Sequence, residues 1–160
     1  METGKILILI GALLTLVSTF FFSFFINGSD YGWGIGFVFN ISDIMANPGN
    51  YVAGESMTVY IVAIVIIVFL ISGVLQLVGL ISRVVAIIGS IIVIGMGVAI
   101  LIAVLDLVPD MTPYASLFVR DAIVDGVWPL NIPIGDISLG TITLLAGGAL
   151  GLAGGIIGTD

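Results

Sequence analysis

Charged residues divide the chain into four long uncharged intervals, and this division limits the possible folds more than any other feature. The uncharged intervals are 6–29, 56–82, 84–105 and 137–159. Each reaches the roughly 20 residues that an apolar helix needs to cross the hydrocarbon of a bilayer. Charged residues make up only 8% of the chain, against about 25% in ordinary soluble domains. Because a soluble domain must expose much of its surface to water, this composition predicts a membrane protein.

The intervals predict an all-α integral membrane protein, in which 1–160 form one membrane domain built as a bundle of four transmembrane helices. We place the helices at 5–26, 57–81, 84–105 and 138–158. The first apolar run is longer than the core of a signal peptide and lacks a small-x-small cleavage site after it, so we expect it to remain uncleaved. The segments 27–56 and 106–137 contain Pro, Gly, Asn and Asp and predict two loops on one side of the membrane.

Basic residues orient the predicted bundle. Lys5 precedes the first helix and Arg83 lies between the second and third, which puts both on the side without long loops. The positive-inside rule makes that side cytoplasmic, although Arg120 falls on the opposite side. Both Trp and all four Tyr map to the loop side or its interface. We therefore expect a multi-pass protein of the cell membrane with cytoplasmic termini, outer loops and no cytoplasmic domain that could bind a nucleotide.

Alternation in the first loop predicts a β-strand. Large apolar residues recur at every second position from Trp33 to Ile41, as in a strand with one apolar face. The sequence Asn-Pro-Gly-Asn at 47–50 is a turn signal, after which 51–53 would return as a short strand. An irregular Gly-rich loop, anchored in the interface by its aromatic residues, is the alternative.

The second loop predicts a short helix followed by another strand. Thr112 and Pro113 are residue types of a helix N-cap and first position, so we expect a short interfacial helix over 112–124. Apolar residues alternate again over 128–134, where two prolines would confine a strand to the edge of a sheet. We expect this strand to pair beside that of the first loop, which would give a small extracellular β element.

This layout of four helices and a larger first outer loop holding a small sheet resembles that of the claudin and peripheral-myelin-protein tetraspan family. The first loop of that family carries a Trp, a Gly-Leu-Trp and two Cys. Trp33 and Gly34 match this pattern in part, and both Cys are missing here. The resemblance concerns the architecture alone, and no function is transferred from it.

The residue inventory excludes most catalytic and cofactor chemistry. The chain has no Cys and no His, which excludes disulfides, thiolate metal sites, His-ligated haem and Cys or His catalysis. Three basic residues make no basic patch, so we expect no nucleic-acid partner. We expect no cofactor and no enzyme activity. Asp106 and Asp110, beside the outer end of the third helix, are weak candidates for a cation site; a solvated acidic rim is the alternative.

Small residues spaced four apart mark three of the four helices as packing surfaces. They are Gly147, Gly151 and Gly155 in the fourth helix, Gly95, Ala99 and Ala103 in the third, and Gly11, Thr15 and Thr19 in the first. Such stripes let helix backbones approach closely in lipid. They predict packing inside one bundle or against another helix, either from a different membrane subunit or from a second copy. A polar pore lining by the hydroxyls of the first helix is the third interpretation.

Two further polar residues stand out. Gln76 is the only strongly polar side chain well inside a predicted span, and we expect it to make an interhelical hydrogen bond or to reach the cytoplasmic interface. Asn40, in Asn-Ile-Ser, is a candidate for N-glycosylation on the outer side. No span carries a charge near its centre, which argues against a proton relay or an ion-coupled transporter.

These observations favour a non-catalytic accessory subunit of a larger membrane complex, in contact with the lipid bilayer and with other integral membrane subunits. It would pack through its small-residue helix faces and cap the complex on the outer side. One alternative is a homo-oligomeric cation channel or transport protein with an acidic outer mouth. Others are an adhesion or envelope-anchoring protein and an enzyme that uses Asp106 and Asp110.

Overall fold

The computed structural model describes residues 2–158, which are mostly helical and include four apolar helices long enough to cross a membrane. The long helices are α1 (Thr3–Phe20), Ser56–Val78, α5 (Arg83–Val104) and α6 (Leu139–Ile157). The last three lie close to their predicted positions. The first ends at Phe20 instead of residue 26, because the next residues pair with other segments: the Ser23 amide donates to the Leu130 carbonyl and the Phe24 amide to that of Gly32.

Helix α6 lies at the centre of the bundle and makes its most extensive contacts with α1 and α5. Gly4 of α1 lies against Gly158, and Gly155 of α6 lies against Arg83. The start of α1, the end of α6 and the turn 79–82 therefore meet at one end of the bundle. The long segments 21–55 and 105–138 lie together at the other end. We call these two segments the cap and name the two ends of the bundle the turn end and the cap end.

The second long helix is interrupted at Ile71, which separates α3 (Ser56–Leu70) from α4 (Ser72–Val78). The Ser72 hydroxyl donates to the Phe69 carbonyl at 2.5 Å, a back-bond of the kind that bends helices. The half after the interruption, α4, packs against α5 and α1, and Gly73 allows its close approach to Leu16. The half before it, α3, contacts α5 far less, which leaves a gap between their cap-end halves.

The cap contains a three-stranded antiparallel sheet that joins its two segments. The strands are β1 (Phe25–Asn27), β2 (Asp30–Gly32) and β3 (Val119–Arg120), in this order. Gly28 has a φ of 63°, which fits the tight connection between β1 and β2. The two loops are therefore joined by strand pairing, as expected. The strands that pair are β2 and β3, however, and not the predicted strands over 33–41 and 128–134.

The predicted strand from Trp33 to Ile41 is wrong, because Gly34–Ala46 form helix α2. The buried side chains of this region, Trp33, Phe37, Asn40 and Ile44, follow helical spacing. Alternation was ambiguous here because Trp33, Phe37 and Ile41 of the alternating set, followed by Ile44, are also spaced four and three apart, as on one face of a helix. The segment 51–53 forms turns and no strand.

The second segment of the cap also differs from its prediction. Pro109–Phe118 form a 3-10 helix that begins three residues early, contains Pro113 and ends well before residue 124. Because Pro113 lacks an amide hydrogen and restricts the residue before it, a regular α-helix is disfavoured. The predicted strand over 128–134 is reduced to β4 (Pro133–Ile134), which pairs with β5 (Ile137–Ser138). Of the other predicted residues, Leu130 forms an isolated parallel bridge with Phe22 of the first segment.

The cap and the bundle share one hydrophobic core. Phe24 at the start of the cap packs edge-on against Phe118, with ring centroids 5.7 Å apart, and against Phe69 of α3 at 6.3 Å. Phe37 of α2 lies 6.2 Å from the same Phe118 ring. These fully or nearly fully buried rings continue into the aliphatic core between the long helices.

Candidate functional site

A seam of glycines brings α1 and α6 into backbone contact. A Cβ atom on Gly11 would lie 2.6 Å from both the carbonyl oxygen of Gly147 and the amide nitrogen of Gly151. A Cβ atom on Gly147 would lie 2.7 Å from the hydroxyl oxygen of Thr15. Four residues of the predicted small stripes therefore meet in one interface inside the chain, which we call the glycine seam.

The remaining small residues of α1 and α6 also face other parts of this chain. The Thr19 hydroxyl donates to the Thr15 carbonyl at 2.7 Å, and Thr19 lies against Gly34 at the start of α2. Gly155 faces α5, where its Cβ would lie 2.7 Å from Cγ1 of Ile87. Thr15 and Thr19 of the hydroxyl stripe of α1 are thus buried against other residues of the same chain.

A buried polar cluster lies beside the seam. The Gln76 side chain is fully buried, and its Nε2 donates to the Ser90 hydroxyl at 3.0 Å and to the Gly147 carbonyl at 3.2 Å. These bonds join α4, α5 and α6, and they agree with the interhelical role predicted for Gln76. Its Oε1 and the Thr15 hydroxyl oxygen have no partner within residues 2–158. The groups identified here are amides and hydroxyls, so the cluster supplies no acid or base.

The third small-residue stripe has a different environment. A Cβ atom on Gly95 would meet no described atom within 4 Å, and Ala99 and Ala103 line the gap between α3 and α5. This gap holds a space of about 330 Å³ with almost entirely apolar walls, and a shallower groove continues it towards the turn end past Gly95. We call the space and the groove together the cleft. The stripe of α5 thus faces the cleft, whereas those of α1 and α6 are covered by neighbouring segments.

The cap closes one end of the cleft. Met111 and Tyr114 of the 3-10 helix line it there, together with Phe118 and Phe25. Thr58, at the cap end of α3, also lines it, and its hydroxyl donates to the Glu55 carboxylate at 3.2 Å. The cleft is therefore covered at the cap end, beside a carboxylate, and open along the side of the bundle.

Asp106 and Asp110 both lie exposed beside this closed end. Asp106 has a φ of 54° and follows the C-cap of α5, where its own amide donates to Ala103 and the next amide donates to Ile102. These two bonds form a Schellman motif, in which glycine is the usual residue. The Thr112 hydroxyl donates to its carboxylate at 2.6 Å. Among residues 2–158, no three carboxylates are grouped as a metal site would require.

Asn40 holds the cap together from inside. Its side chain is 5% exposed, and its Nδ2 donates to the carbonyls of Leu117 and Val119 at 3.2 and 2.9 Å. Its Oδ1 accepts from Arg120 at 3.2 Å, while the Arg120 guanidinium also lies 5.7 Å from the centre of the Phe39 ring. Glycosylation of Asn40 stays a prediction. A glycan on Nδ2 would replace one of the two hydrogens that this nitrogen donates to the carbonyls of Leu117 and Val119.

A tyrosine on the surface of the cap has an altered acidity. The Tyr51 hydroxyl donates to the Asp43 carboxylate at 2.9 Å, and Asn47 donates to the other oxygen of this carboxylate at 3.2 Å. Partial burial, followed by this hydrogen bond and the nearby negative charge, raises the pKa of Tyr51 to about 12.

The cap carries an apolar surface that sequence reasoning did not identify. Within 123–134, six apolar side chains are each at least 40% exposed, and Val127 reaches 65%. They are Ile123, Val124, Val127, Leu130, Ile132 and Ile134. Backbone bonds anchor this segment over the cap ends of α1 and α6, from the Leu130 amide to Phe21 and from the Leu139 amide to Ile132. We call these six residues the ledge.

No protein-family model, curated protein or solved structure matches the chain.

Proposed function

We propose that the protein is a multi-pass protein of the cell membrane, with its cap outside, and that it serves as a non-catalytic accessory subunit of a larger membrane complex. Four apolar helices with many exposed aliphatic side chains support the membrane placement. Lys5 and Arg83 at the turn end support a cytoplasmic location of that end. The buried polar cluster, which has no titratable group identified in it, supports a structural role for the interior.

The ledge is the single observation that carries the proposed role. It lies past the cap ends of α1 and α6, in the cap and not along the bundle. Exposing apolar side chains outside the hydrocarbon is costly in water, and a group of them on one segment indicates a site of contact with another protein. The small residues of α1 and α6 are occupied within the chain, so we assign the contact with a partner to the ledge instead of these helix faces.

Charge defines the partner further. Asp121, Asp125 and Asp136 are exposed; the first and last flank the ledge along the chain, and Asp125 lies between two of its residues. An apolar surface with an acidic border complements an apolar surface with a basic border. We therefore propose as the partner an integral membrane subunit whose outer segments present aliphatic side chains beside Lys or Arg.

The membrane orientation is tested by labelling, and the absence of Cys makes each introduced thiol unique. Asp125→Cys lies beside the ledge, and Ser82→Cys lies in the turn at the opposite end. A membrane-impermeant maleimide should label the first variant in intact cells and the second only after permeabilisation. Labelling of Ser82→Cys in intact cells would refute the orientation.

The partner is tested by photo-crosslinking in the native membrane. A benzoylphenylalanine replacing Val127 should crosslink to a different polypeptide, which mass spectrometry then identifies. The matched control replaces Ile81, which is highly exposed at the turn end and should give no such product. Val127→Asp should abolish co-purification of that polypeptide. Crosslinks confined to lipid would contradict the proposal, and crosslinks to a second copy would favour a homo-oligomer.

A further inference from the structure

We propose that the cleft between α3 and α5 binds one hydrocarbon chain of an outer-leaflet lipid whose headgroup carries no net negative charge. This inference goes beyond the role of the ledge and rests only on the membrane placement in the proposed function. The cleft lies between α3 and α5, whereas the ledge lies over α1 and α6, so the two surfaces can be tested separately.

The walls of the cleft fit a hydrocarbon chain. Val65, Met96 and Ala99 line both its deeper space and its shallower groove, and nearly the whole lining is apolar. A volume of about 330 Å³ lies at the lower end of the range for pockets that hold small molecules. In a bilayer, such a chain gains little from leaving its neighbours, so its preference comes from van der Waals contacts with the walls.

The length of the cleft fits one leaflet. Its lining residues on α5 extend from Ile92 to Val104, which at 1.5 Å per residue is about 18 Å. Half the hydrocarbon thickness of a typical bilayer is about 15 Å. A chain entering from the side therefore has room along most of its length between α3 and α5.

The closed end distinguishes a lipid chain from a partner helix. Met111, Tyr114 and Phe118 cover the cap end of the cleft. A transmembrane helix of another subunit would have to continue past this cover to reach the outer surface. A lipid chain has no such requirement, because its free end points towards the middle of the membrane and its headgroup stays beside the cover.

Charges at the closed end select the headgroup. Glu55 accepts a hydrogen bond from the lining residue Thr58, while Asp106 and Asp110 lie next to Thr112 and the lining residue Met111. Arg120, the one basic residue of the cap, lies over Phe39 and bonds Asn40 of α2. Three carboxylates therefore lie beside the closed end of the cleft. Their negative charge disfavours an anionic headgroup there and favours a zwitterionic or cationic one.

The test uses the purified full chain in phosphatidylcholine vesicles doped with a phosphatidylcholine that carries a diazirine in the middle of one chain. Illumination should label peptides of α3 and α5 around Val65 and Met96 about tenfold more than the lipid-facing peptides of α1 around Ile10. A phosphatidylglycerol probe with the same diazirine chain should label the cleft less than the phosphatidylcholine probe does, by about threefold or more. Equal labelling of all helices, or stronger cleft labelling by the anionic probe, would overturn the proposal.

Two substitutions make the test specific to the cleft. Ala99→Leu fills the space, and Gly95→Leu fills the groove at a position where an added Cβ atom meets no described atom within 4 Å. Either should lower cleft labelling by about fivefold or more. The matched control is Val98→Leu, on the adjacent exposed face of α5, which should leave labelling unchanged. Unchanged labelling in both cleft variants would refute the assignment.

A final arm separates this inference from the proposed function. A benzoylphenylalanine replacing Val65 in the native membrane should crosslink to lipid, whereas the same residue at Val127 should crosslink to protein. A polypeptide product at Val65 would overturn the lipid assignment and leave the ledge proposal intact. The absence of a polypeptide product at Val127 would refute the ledge proposal and leave the lipid assignment intact.

Discussion

The glycine seam provides the most quantitative prediction, which concerns the substitution Gly11→Ala. The added Cβ would lie 2.6 Å from two backbone atoms of α6, the Gly147 oxygen and the Gly151 nitrogen. Backbone atoms cannot rotate away as a side chain can. Ordinary van der Waals contact needs about 3.5 Å, so α1 and α6 would have to separate locally by about 0.9 Å.

Two opposing effects set the magnitude. Alanine has a more favourable helix propensity than glycine by about 1 kcal/mol. Overpacking of a tight interface costs about 1–3 kcal/mol, and a gap of 0.5–1 Å forfeits about a quarter to a half of each neighbouring van der Waals contact. Because the clash is with backbone atoms, we expect a cost at the upper end of this range, about 3 kcal/mol, and hence a net loss of about 2 kcal/mol in the free energy of unfolding.

Gly95→Ala is the matched control. It makes the same chemical change in another long helix, at a position where the added Cβ meets no described atom within 4 Å. Only the propensity effect remains there, so we expect a gain of up to about 1 kcal/mol.

Both variants should be measured by reversible unfolding in mixed micelles of a mild detergent and dodecyl sulfate, followed by circular dichroism. The two free energies of unfolding should differ by about 3 kcal/mol, with Gly11→Ala the less stable. If Gly11→Ala is as stable as Gly95→Ala, then α1 and α6 are not in backbone contact and the seam is refuted.

Three further predictions concern the cap and the polar cluster. Asp106→Gly should raise the free energy of unfolding by about 0.5–1 kcal/mol, since glycine accepts a φ of 54° freely and only the exposed Thr112 bond is lost; calorimetry that shows a lower midpoint would contradict this. Gln76→Ala should lower it by about 1–3 kcal/mol, because the bonds to the Ser90 hydroxyl and the Gly147 carbonyl are lost and a buried side chain is truncated. The measurement uses the same mixed micelles, and an unchanged value would contradict the cluster. Ultraviolet titration should show Tyr51 ionising near pH 12, and Asp43→Asn should lower that pKa towards 10. In the unsubstituted protein, the folded state holds the Tyr51 proton more tightly than the unfolded chain does. Its stability should therefore fall as the pH rises from about 10 to about 12.

The sequence predicts the long helices well because one strong physical signal defines them. Uncharged apolar runs of spanning length have few alternatives to a helix, and three of the four helices begin and end within a few residues of their predicted limits. The interhelical hydrogen bonds of Gln76 were also predictable, because an isolated amide in an apolar span needs a partner.

The cap was less predictable because its pattern allowed two periods. Residues 33–46 are apolar at so many positions that spacings of two and of three to four are both satisfied, and contact with Phe118 and the Asn40 bonds favour the helix. The end of α1 depended in the same way on strand partners about a hundred residues away. Local sequence does not contain that information.

The cleft could not be read from the small-residue stripes either. Gly95, Ala99 and Ala103 have the same spacing as the stripes that pack inside the chain. Their different environment follows from the interruption at Ile71, which directs α4 onto α5 and leaves α3 apart. Ser72 and Gly73 are a weak local indication of that interruption.

The glycine seam also determines when the fold can be completed during synthesis. It joins α1, the first of the long helices to emerge from the ribosome, to α6, the last. Until α6 is synthesised, Gly11 and Thr15 lack their main partner, and the face that they form stays uncovered by this chain. A chain that stops after α5 would therefore expose this narrow surface, which α6 covers in the complete fold.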